Sequence, residues 1–264
     1  MEFPDASLSH ESESLPVLPS EILYEILLRL PVKTLLKMRC VSKSWFSLIS
    51  CPQFIKTHLK FSTQNQDFRC LFYGSRENSL TLNTCSLDEI IYQEESPPIP
   101  IAVQLDFPCN GVLGCCEGLF CIFNQFWYIF IWNPSIRKSK KLPFSGLDPR
   151  CGQSSSYGFG YVECQDDYKV VDVKGNSHGD GFLNVFKIYS LRYNSWKRIQ
   201  DYPDITFWIY PGKFVNGRLH WIVGHVSDES DMNDSRFILS LNLVDDVTNI
   251  EFQRKKNLTK AKLS

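Results

Sequence analysis

Between residues 18 and 45 the hydrophobic positions recur at helical spacing. Ile22, Ile26 and Leu30 follow one another at intervals of four residues, and Leu27 adds to the same face. A period of this kind puts apolar side chains on one side of a helix and polar side chains on the other. The pattern therefore predicts an amphipathic helix whose apolar face must be covered.

Proline and serine residues divide this segment into three helices. Pro19 and Ser20 suit a helix start, because proline has no N–H to leave unpaired there and serine can cap the helix. Pro31 interrupts the helix and suits the first turn of the next one, and Ser42 can cap a third. A domain of about 45 residues is marginally stable on its own. We therefore expect part of its apolar face to belong to a partner.

Beyond residue 60 the pattern changes to short runs of β-branched and aromatic residues, separated by Gly, Pro, Asn and Ser. Such runs predict many short strands. The proline-rich residues 96–100 are expected to form a loop or linker, because proline cannot serve a central strand. The predicted strands span residues 68–73, 79–84, 119–123, 128–132, 168–173, 184–190, 195–198, 212–214, 218–223 and 237–242.

A repeat runs through this β-rich region. An apolar strand, a turn and a second strand around Ile131 recur 57 residues later around Ile188, and a weaker copy lies 52 residues on, from Leu191 to Leu243. A period on the order of 50 residues is typical of kelch-type propeller blades. The predicted fold class is therefore α+β and multidomain. A small three-helix module precedes an all-β, kelch-like β-propeller domain, whose blade count and completeness the pattern leaves open.

Composition and charge add little to this picture. No apolar run approaches the roughly 20 residues that span a membrane, and the acidic, serine-rich residues 1–14 predict a disordered tail rather than a signal peptide. The net charge of −1 gives no global basic field for nucleic acid. Residues 15–60 carry seven Lys/Arg and two Glu. That local excess of positive charge suits an acidic partner surface. The alternative is that these residues form a basic face that contacts only solvent.

The cysteines do not predict a metal site. Cys109, Cys115, Cys116 and Cys121 lie close together in the sequence, but no pair has the C-x-x-C spacing of a zinc knuckle. Without an export signal they are expected to stay reduced. We interpret them as buried free thiols in strands, and we predict neither a metal nor a cofactor.

Catalytic patterns are also not evident. The five histidines are scattered, and the serines at 154–156 do not form a G-x-S-x-G elbow. The glycines of residues 158–160 are not followed by the helix start that a phosphate site needs. The acidic residues 227–234 lack the regular alternation and the glycine of a calcium loop. The sequence therefore predicts a protein that is not an enzyme.

The helical segment resembles the F-box of plant F-box proteins. This resemblance implies docking on a Skp-type adaptor of a cullin–RING ubiquitin ligase; a bundle whose apolar face is only core is the alternative. The residues that carry it are Leu18-Pro19, Ile22, Glu25-Ile26-Leu27, Leu30-Pro31-Val32-Lys33, Leu35, Arg39-Cys40-Val41-Ser42-Lys43 and Trp45, followed by Ser50-Cys51-Pro52, Phe54 and His58-Leu59. The adaptor-binding residues that it implies are Leu18, Pro19, Ile22, Ile26, Leu27, Leu30, Pro31, Val32, Leu35, Cys40, Val41 and Trp45.

The β-rich region resembles the F-box-associated interaction domain of the same proteins, which implies a β-propeller-like substrate receptor. Members usually run on further than this sequence, which is expected to be C-terminally shortened and to leave a sheet edge open. The residues that carry the resemblance are Asn110-Gly111, Glu117-Gly118-Leu119, Ile131-Trp132-Asn133-Pro134, Gly158-Phe159-Gly160-Tyr161, Asp166-Asp167-Tyr168-Lys169-Val170-Val171, Ile188-Tyr189-Ser190-Leu191, Ser195-Trp196 and Gly217-Arg218-Leu219-His220-Trp221.

Together these resemblances imply the substrate-recognition subunit of an SCF-type (Skp–cullin–F-box) E3 ubiquitin ligase. Its target is unknown, and it is expected inside the cell, in the nucleus or cytoplasm, without a nucleic-acid or membrane partner. A truncated competitor for the adaptor and an adaptor-free kelch-like scaffold are the alternatives. The predicted organisation is a tail (1–14), the F-box module (15–60), the β domain (61–250) and a basic tail (251–264).

Overall fold

The computed structural model describes most of the chain between residues 18 and 254. The described ranges are 18–64, 69–76, 79–86, 101–103, 109–147, 154–178, 181–199, 201–203, 205–207, 210–225, 237–245 and 250–254. The predicted tail 1–14, the proline-rich residues 96–100 and the acidic residues 227–234 lie outside them. The chain divides into two compact units, Met1–Asp67 and Phe68–Ser264.

The first unit contains four helices in its described part, one more than the sequence predicted. They are α1 Ser20–Leu28, α2 Val32–Met38, α3 Lys43–Ser50 and α4 Pro52–Gln64. Pro19 and Pro31 stand at the N-caps of α1 and α2, so proline and not Ser20 precedes the first helix. The predicted cap of α3 is confirmed, because the Ser42 hydroxyl accepts a hydrogen bond from the Trp45 N–H at 3.2 Å.

Helix α4 completes the core of this unit. Phe54 on α4 is 2% exposed and packs with Leu27, Leu28, Leu35 and Ile49. The edge of its ring meets Tyr24 of α1, with 5.4 Å between ring centroids. Three helices alone would leave this apolar surface in water, so the fourth helix is needed to bury it.

The second unit is built from antiparallel sheets, as the sequence predicted. β1 Arg69–Arg76, β2 Ser79–Ser86 and β3 Ile101–Val103 form the first sheet. β4 Gly111–Cys116, β5 Leu119–Phe123, β6 Ile129–Asn133 and β7 Lys138–Lys141 form the second. β8 Ser154–Val162, β9 Asp167–His178, β10 Gly181–Ser190 and β11 Ser195–Arg198 form the third, with β12 Tyr202–Pro203 beside β10. The fourth contains β13 Ile205–Phe207, β14 Lys213–Val215, β15 Arg218–His225, β16 Phe237–Asn242 and β17 Ile250–Arg254.

The copies of the sequence repeat occupy equivalent positions in three of these sheets. The copies are β6, β10 and β16. Each is the second strand from one end of its sheet and pairs with the end strand, which follows it in the sequence. The third copy differs from the prediction, because β17 occupies residues 250–254, where the pattern predicted a polar tail. Main-chain pairing with β16 provides the hydrogen bonds of this strand.

The sheets pack face to face, and two of the apolar cores of this unit lie between them. One core lies between the second and third sheets and contains Ile131, Phe159 and Tyr189; the other lies between the third and fourth sheets and contains Val171, Phe186 and Leu239. Strands β4 and β8, which the pattern missed, contact each other as the first strands of their sheets. Their sequences, GVLGCC and SSSYGFGYV, are rich in small residues because neighbouring sheets approach closely there.

Candidate functional site

Helix α1 carries two apolar lines on different sides. Its inner side, with Leu27 and Leu28, is buried in the core of the helical unit. Its outer side presents Ile22 and Ile26, which are 48% and 44% exposed and lie next to one another because they are four apart on the helix. Leu18, just before the N-cap Pro19, is 56% exposed. These three apolar side chains, the outer line, are not covered by the unit itself.

Further apolar and basic side chains surround the end of α2. Val41 is exposed, and so is Phe46 on α3, whose ring lies under the Arg39 guanidinium at 4.6 Å. Lys33 and Lys37 are exposed on α2. The helical unit therefore exposes both apolar side chains and positive charge, which favours a partner that offers apolar contacts and carboxylates.

The structure separates the predicted adaptor-binding residues into three groups by burial. Leu27 and Leu35 are 1% and 4% exposed, so within the folded unit their side chains contact the core. Leu30, Val32 and Trp45 are half-buried. The exposed ones are Leu18, Pro19, Ile22, Ile26, Pro31, Cys40 and Val41.

His58 has a structural role that the sequence pattern did not indicate. This side chain is buried on α4, and its Nε2–H donates to the Leu30 carbonyl oxygen at 2.9 Å. That carbonyl lies at the break between α1 and α2, where helix-end carbonyls lack intrahelical partners. Phe54 stands one turn before His58 and stacks on its ring, with 6.1 Å between centroids. An aromatic residue and a histidine four apart are the sequence signal that could have indicated a packed histidine.

Replacing His58 by alanine is expected to lower the free energy of unfolding by about 1–3 kcal/mol, because it leaves the partly buried Leu30 carbonyl without a donor. Urea denaturation of the full chain measures the change. Ser62→Ala is the control, since its hydroxyl lies 3.5 Å from His58 Nδ1, at the limit of a hydrogen bond. Equal losses in the two variants would contradict the role given to the His58–Leu30 contact.

The second unit buries a polar cluster between its second and third sheets. The Asp172 carboxylate accepts a hydrogen bond from the Ser145 hydroxyl at 2.6 Å. The Lys174 ammonium lies 3.7 Å from the other oxygen of Asp172 and donates to the Tyr157 hydroxyl at 2.8 Å. Burial raises the pKa of Asp172, and Lys174 and Ser145 offset only part of that rise. The cluster is enclosed by the two sheets, so we interpret it as a structural link between them.

The cysteine prediction is partly confirmed. Cys109 and Cys121 are buried, but Cys115 is exposed on β4 and Cys116 is half-buried, which the sequence did not predict. Burial, helped by the charge of Glu117, raises the pKa of Cys116 to about 12, so its thiol stays protonated at neutral pH. Among the described residues no group of three or more His, Cys, Asp or Glu could hold a metal ion.

The two units define an F-box joined to a β-propeller-like domain. The F-box domain family matches residues 15–57, and the F-box associated beta propeller domain family matches residues 73–260. The chain therefore belongs to the plant F-box proteins that carry an F-box-associated domain. No helix in the part of the chain that the structure describes has the length and hydrophobicity to cross a membrane.

Relatives from Arabidopsis thaliana agree with this assignment. The chain is 30% identical to F-box protein CPR1 over 227 residues, which cover 78% of this chain and 53% of the relative. It is 31% identical to F-box/kelch-repeat protein At3g23880 over 217 residues, 77% of this chain and 58% of the relative. It is 32% identical to F-box protein At4g22390 over 226 residues, which cover 78% of this chain and 54% of the relative. The chain thus spans somewhat more than half the length of these curated relatives.

Proposed function

We propose that this chain is the substrate-recognition subunit of an SCF-type E3 ubiquitin ligase. In this role the helical unit binds a Skp-type adaptor, and through it a cullin–RING ligase, while the β unit binds a target protein. The observation that supports the proposal is the outer line of α1, Leu18, Ile22 and Ile26. The helical unit forms its buried core without these residues. We therefore infer that these exposed side chains bind a partner.

Adaptor binding then follows the pattern of an apolar helix face that enters a hydrophobic groove. The outer line and Val41 supply the contact area, whereas Leu27 and Leu35 hold the helices in the arrangement that presents it. Lys33 and Lys37 lie at the rim, where charges change the association rate and its salt dependence more than the affinity.

The chain needs no catalytic group for this function. A receptor of this kind acts by holding its target near the charged ubiquitin-conjugating enzyme, which raises the effective concentration of the reacting groups. We place this activity inside the cell, in the nucleus, the cytoplasm or both.

The outer line provides a direct test of the proposal. Ile22→Ala combined with Ile26→Ala is expected to weaken binding of the full chain to a Skp-type adaptor by at least about 30-fold, since central apolar anchors contribute about 2 kcal/mol or more. Isothermal titration calorimetry measures the affinity. Thermal unfolding should change little, because both side chains are already largely exposed in the free chain.

Glu25→Ala is the matched control. Glu25 lies on the same helix, and its exposed carboxylate pairs with Arg29 at 2.8 Å, a contact of small energetic value. It should leave adaptor affinity within about twofold of wild type. Wild-type affinity in the double variant, or in Leu18→Ala with Pro19→Ala, would overturn the adaptor role and favour an adaptor-free scaffold.

A further inference from the structure

The loop between β5 and β6, residues 124–128, exposes three aromatic side chains in succession. Phe126, Trp127 and Tyr128 are 65%, 40% and 43% exposed. We call these residues the aromatic loop. Aromatic residues are enriched among the side chains that dominate protein–protein binding energy, and exposed ones next to one another mark a candidate interaction surface.

The aromatic loop is held in one conformation by Asn124. This side chain is buried, and its oxygen accepts hydrogen bonds from the N–H groups of Phe126 and Tyr128, both at 3.0 Å. Two main-chain hydrogen bonds add to these. The Asn124 N–H donates to the Tyr128 carbonyl oxygen at 3.2 Å, and the Trp127 N–H donates to the Asn124 carbonyl oxygen at 2.8 Å. A rigid loop loses little conformational entropy on binding, so its aromatic rings are preorganised for a partner.

Trp127 adopts a backbone conformation that a bulky residue rarely takes. Its φ is +61°, in the left-handed region. Its indole stacks on Phe123, with 4.8 Å between ring centroids and an angle of 10° between the planes. Strain of this kind in a bulky residue is often found where function requires a particular side-chain position.

Positive charge accompanies the aromatic loop. From residue 118 to residue 147 the chain has no acidic residue and four basic ones, Arg137, Lys138, Lys140 and Lys141. Lys141 pairs with Phe130, next to the aromatic loop, whereas Arg137 and Lys138 lie at the other end of β6. The Lys141 ammonium lies over the Tyr128 ring, 3.3 Å from its centroid. None of the ion pairs formed between described residues involves Lys141. A carboxylate brought to this ammonium would meet no competing acid in this hairpin.

We propose that the aromatic loop and Lys141 bind an acidic peptide segment of the target protein, which carries an apolar side chain next to its carboxylates. This inference rests on the proposed function, because it assigns the target-binding site of the receptor. The apolar side chain packs on Phe126 and Trp127, and a carboxylate pairs with Lys141 beside Tyr128. Charge complementarity selects acidic over basic peptides.

The geometry favours a peptide over single-stranded nucleic acid. Stacking of successive bases requires free ring faces along a basic groove. Here one face of the Trp127 indole is covered by Phe123, and Lys141 covers a face of Tyr128. Two of the three rings therefore keep at most one free face each, which suits an apolar side chain better than a run of stacked bases.

Selection of random peptides tests this site. A phage-displayed library is selected on the full chain, and fluorescence anisotropy then measures the affinity of the enriched peptides. Acidic peptides with an apolar residue are expected. Trp127→Asn should weaken them at least about 30-fold, and asparagine is chosen because it tolerates positive φ. Lys141→Glu should weaken them about tenfold, and less at high salt.

Tyr193→Ala is the matched control, because Tyr193 is 74% exposed but lies in the turn between β10 and β11 of another sheet. It should leave peptide affinity within about twofold, as expected of a residue outside the contact. The proposal is overturned if no acidic peptides are enriched, or if Trp127→Asn binds the peptides as tightly as wild type. It is also overturned if the chain binds labelled oligouridine more tightly than peptide, or if the wild-type chain forms a dimer that Trp127→Asn dissociates. Adaptor affinity of Trp127→Asn is measured separately and should stay at the wild-type value, so failure of the peptide site and failure of the receptor role are distinguishable.

Discussion

Replacing Lys174 by methionine is expected to lower the free energy of unfolding by about 3–5 kcal/mol, the largest loss that we predict for a single side chain. Lys174 is 1% exposed, and its ammonium lies 3.7 Å from the carboxylate of Asp172, which is 2% exposed. Methionine has similar volume but no charge, so the variant removes the cation nearest to the buried Asp172 carboxylate. The Ser145 hydroxyl satisfies one carboxylate oxygen only, and the charge of Lys187 acts more weakly on this group than that of Lys174.

Urea denaturation of a double-mutant cycle measures this effect. Lys174→Met combined with Asp172→Asn should recover most of the loss, since removal of both charges of a buried pair is often neutral. Lys140→Met, at an exposed position on β7, should stay within about 0.5 kcal/mol of wild type. If the double variant lost as much stability as the sum of the two single variants, the charges of Lys174 and Asp172 would not depend on each other.

The deficit of Lys174→Met should shrink as the pH falls. Burial raises the pKa of Asp172 in the folded chain, and loss of the lysine raises it further. A carboxyl group with a raised pKa binds its proton more tightly in the folded than in the unfolded state. Its unfavourable effect therefore grows as the pH rises above the unfolded pKa and diminishes in acid.

Replacing Gly160 by alanine is expected to cost about 1–3 kcal/mol of stability, the usual range for overpacking a close-packed core. A Cβ atom at this position of β8 would lie 2.4 Å from a ring carbon of Phe214 and 2.8 Å from a methyl carbon of Leu243. Both neighbours belong to the core between the third and fourth sheets. The added methyl group therefore requires the Phe214 and Leu243 side chains, or the sheet that carries them, to shift.

Gly224→Ala provides the matched comparison for Gly160→Ala. Gly224 is also a strand glycine, on β15, but an added Cβ would meet nothing within 4 Å. Its replacement should be neutral or stabilise by up to about 1 kcal/mol, because alanine restricts the unfolded chain. Thermal and urea unfolding of both variants measures the two changes in stability. Equal effects at the two positions would show that the third and fourth sheets tolerate separation.

Local chemistry made part of the fold predictable. The period of four in α1 and the prolines before α1 and α2 act within a few residues, and so does the Ser42 cap of α3. Strands β5 and β16, which are rich in apolar residues, and the short strand β11 were predicted with the observed bounds. The first strands β4 and β8 escaped prediction because close packing between sheets requires small residues that have weak strand preference.

The candidate sites depended more on tertiary structure. Periodicity shows that Ile26 and Leu27 belong to an apolar helix, but adjacent residues point in different directions, and only the packed helices bury Leu27 and expose Ile26. The aromatic loop depends on the side chain of Asn124, which holds the loop only when it is folded into the buried site between β5 and β6.

By itself, the sequence determined the helical module, the β structure that follows it and the repeat in three copies, because these follow from residue spacing along the chain. Only the tertiary structure decided the fourth helix, the bond from His58 to Leu30 and the burial of Lys174 with Asp172. These features depend on contacts between groups that are distant in the sequence or on the exclusion of water from them. The local spacing of residues does not predict such contacts.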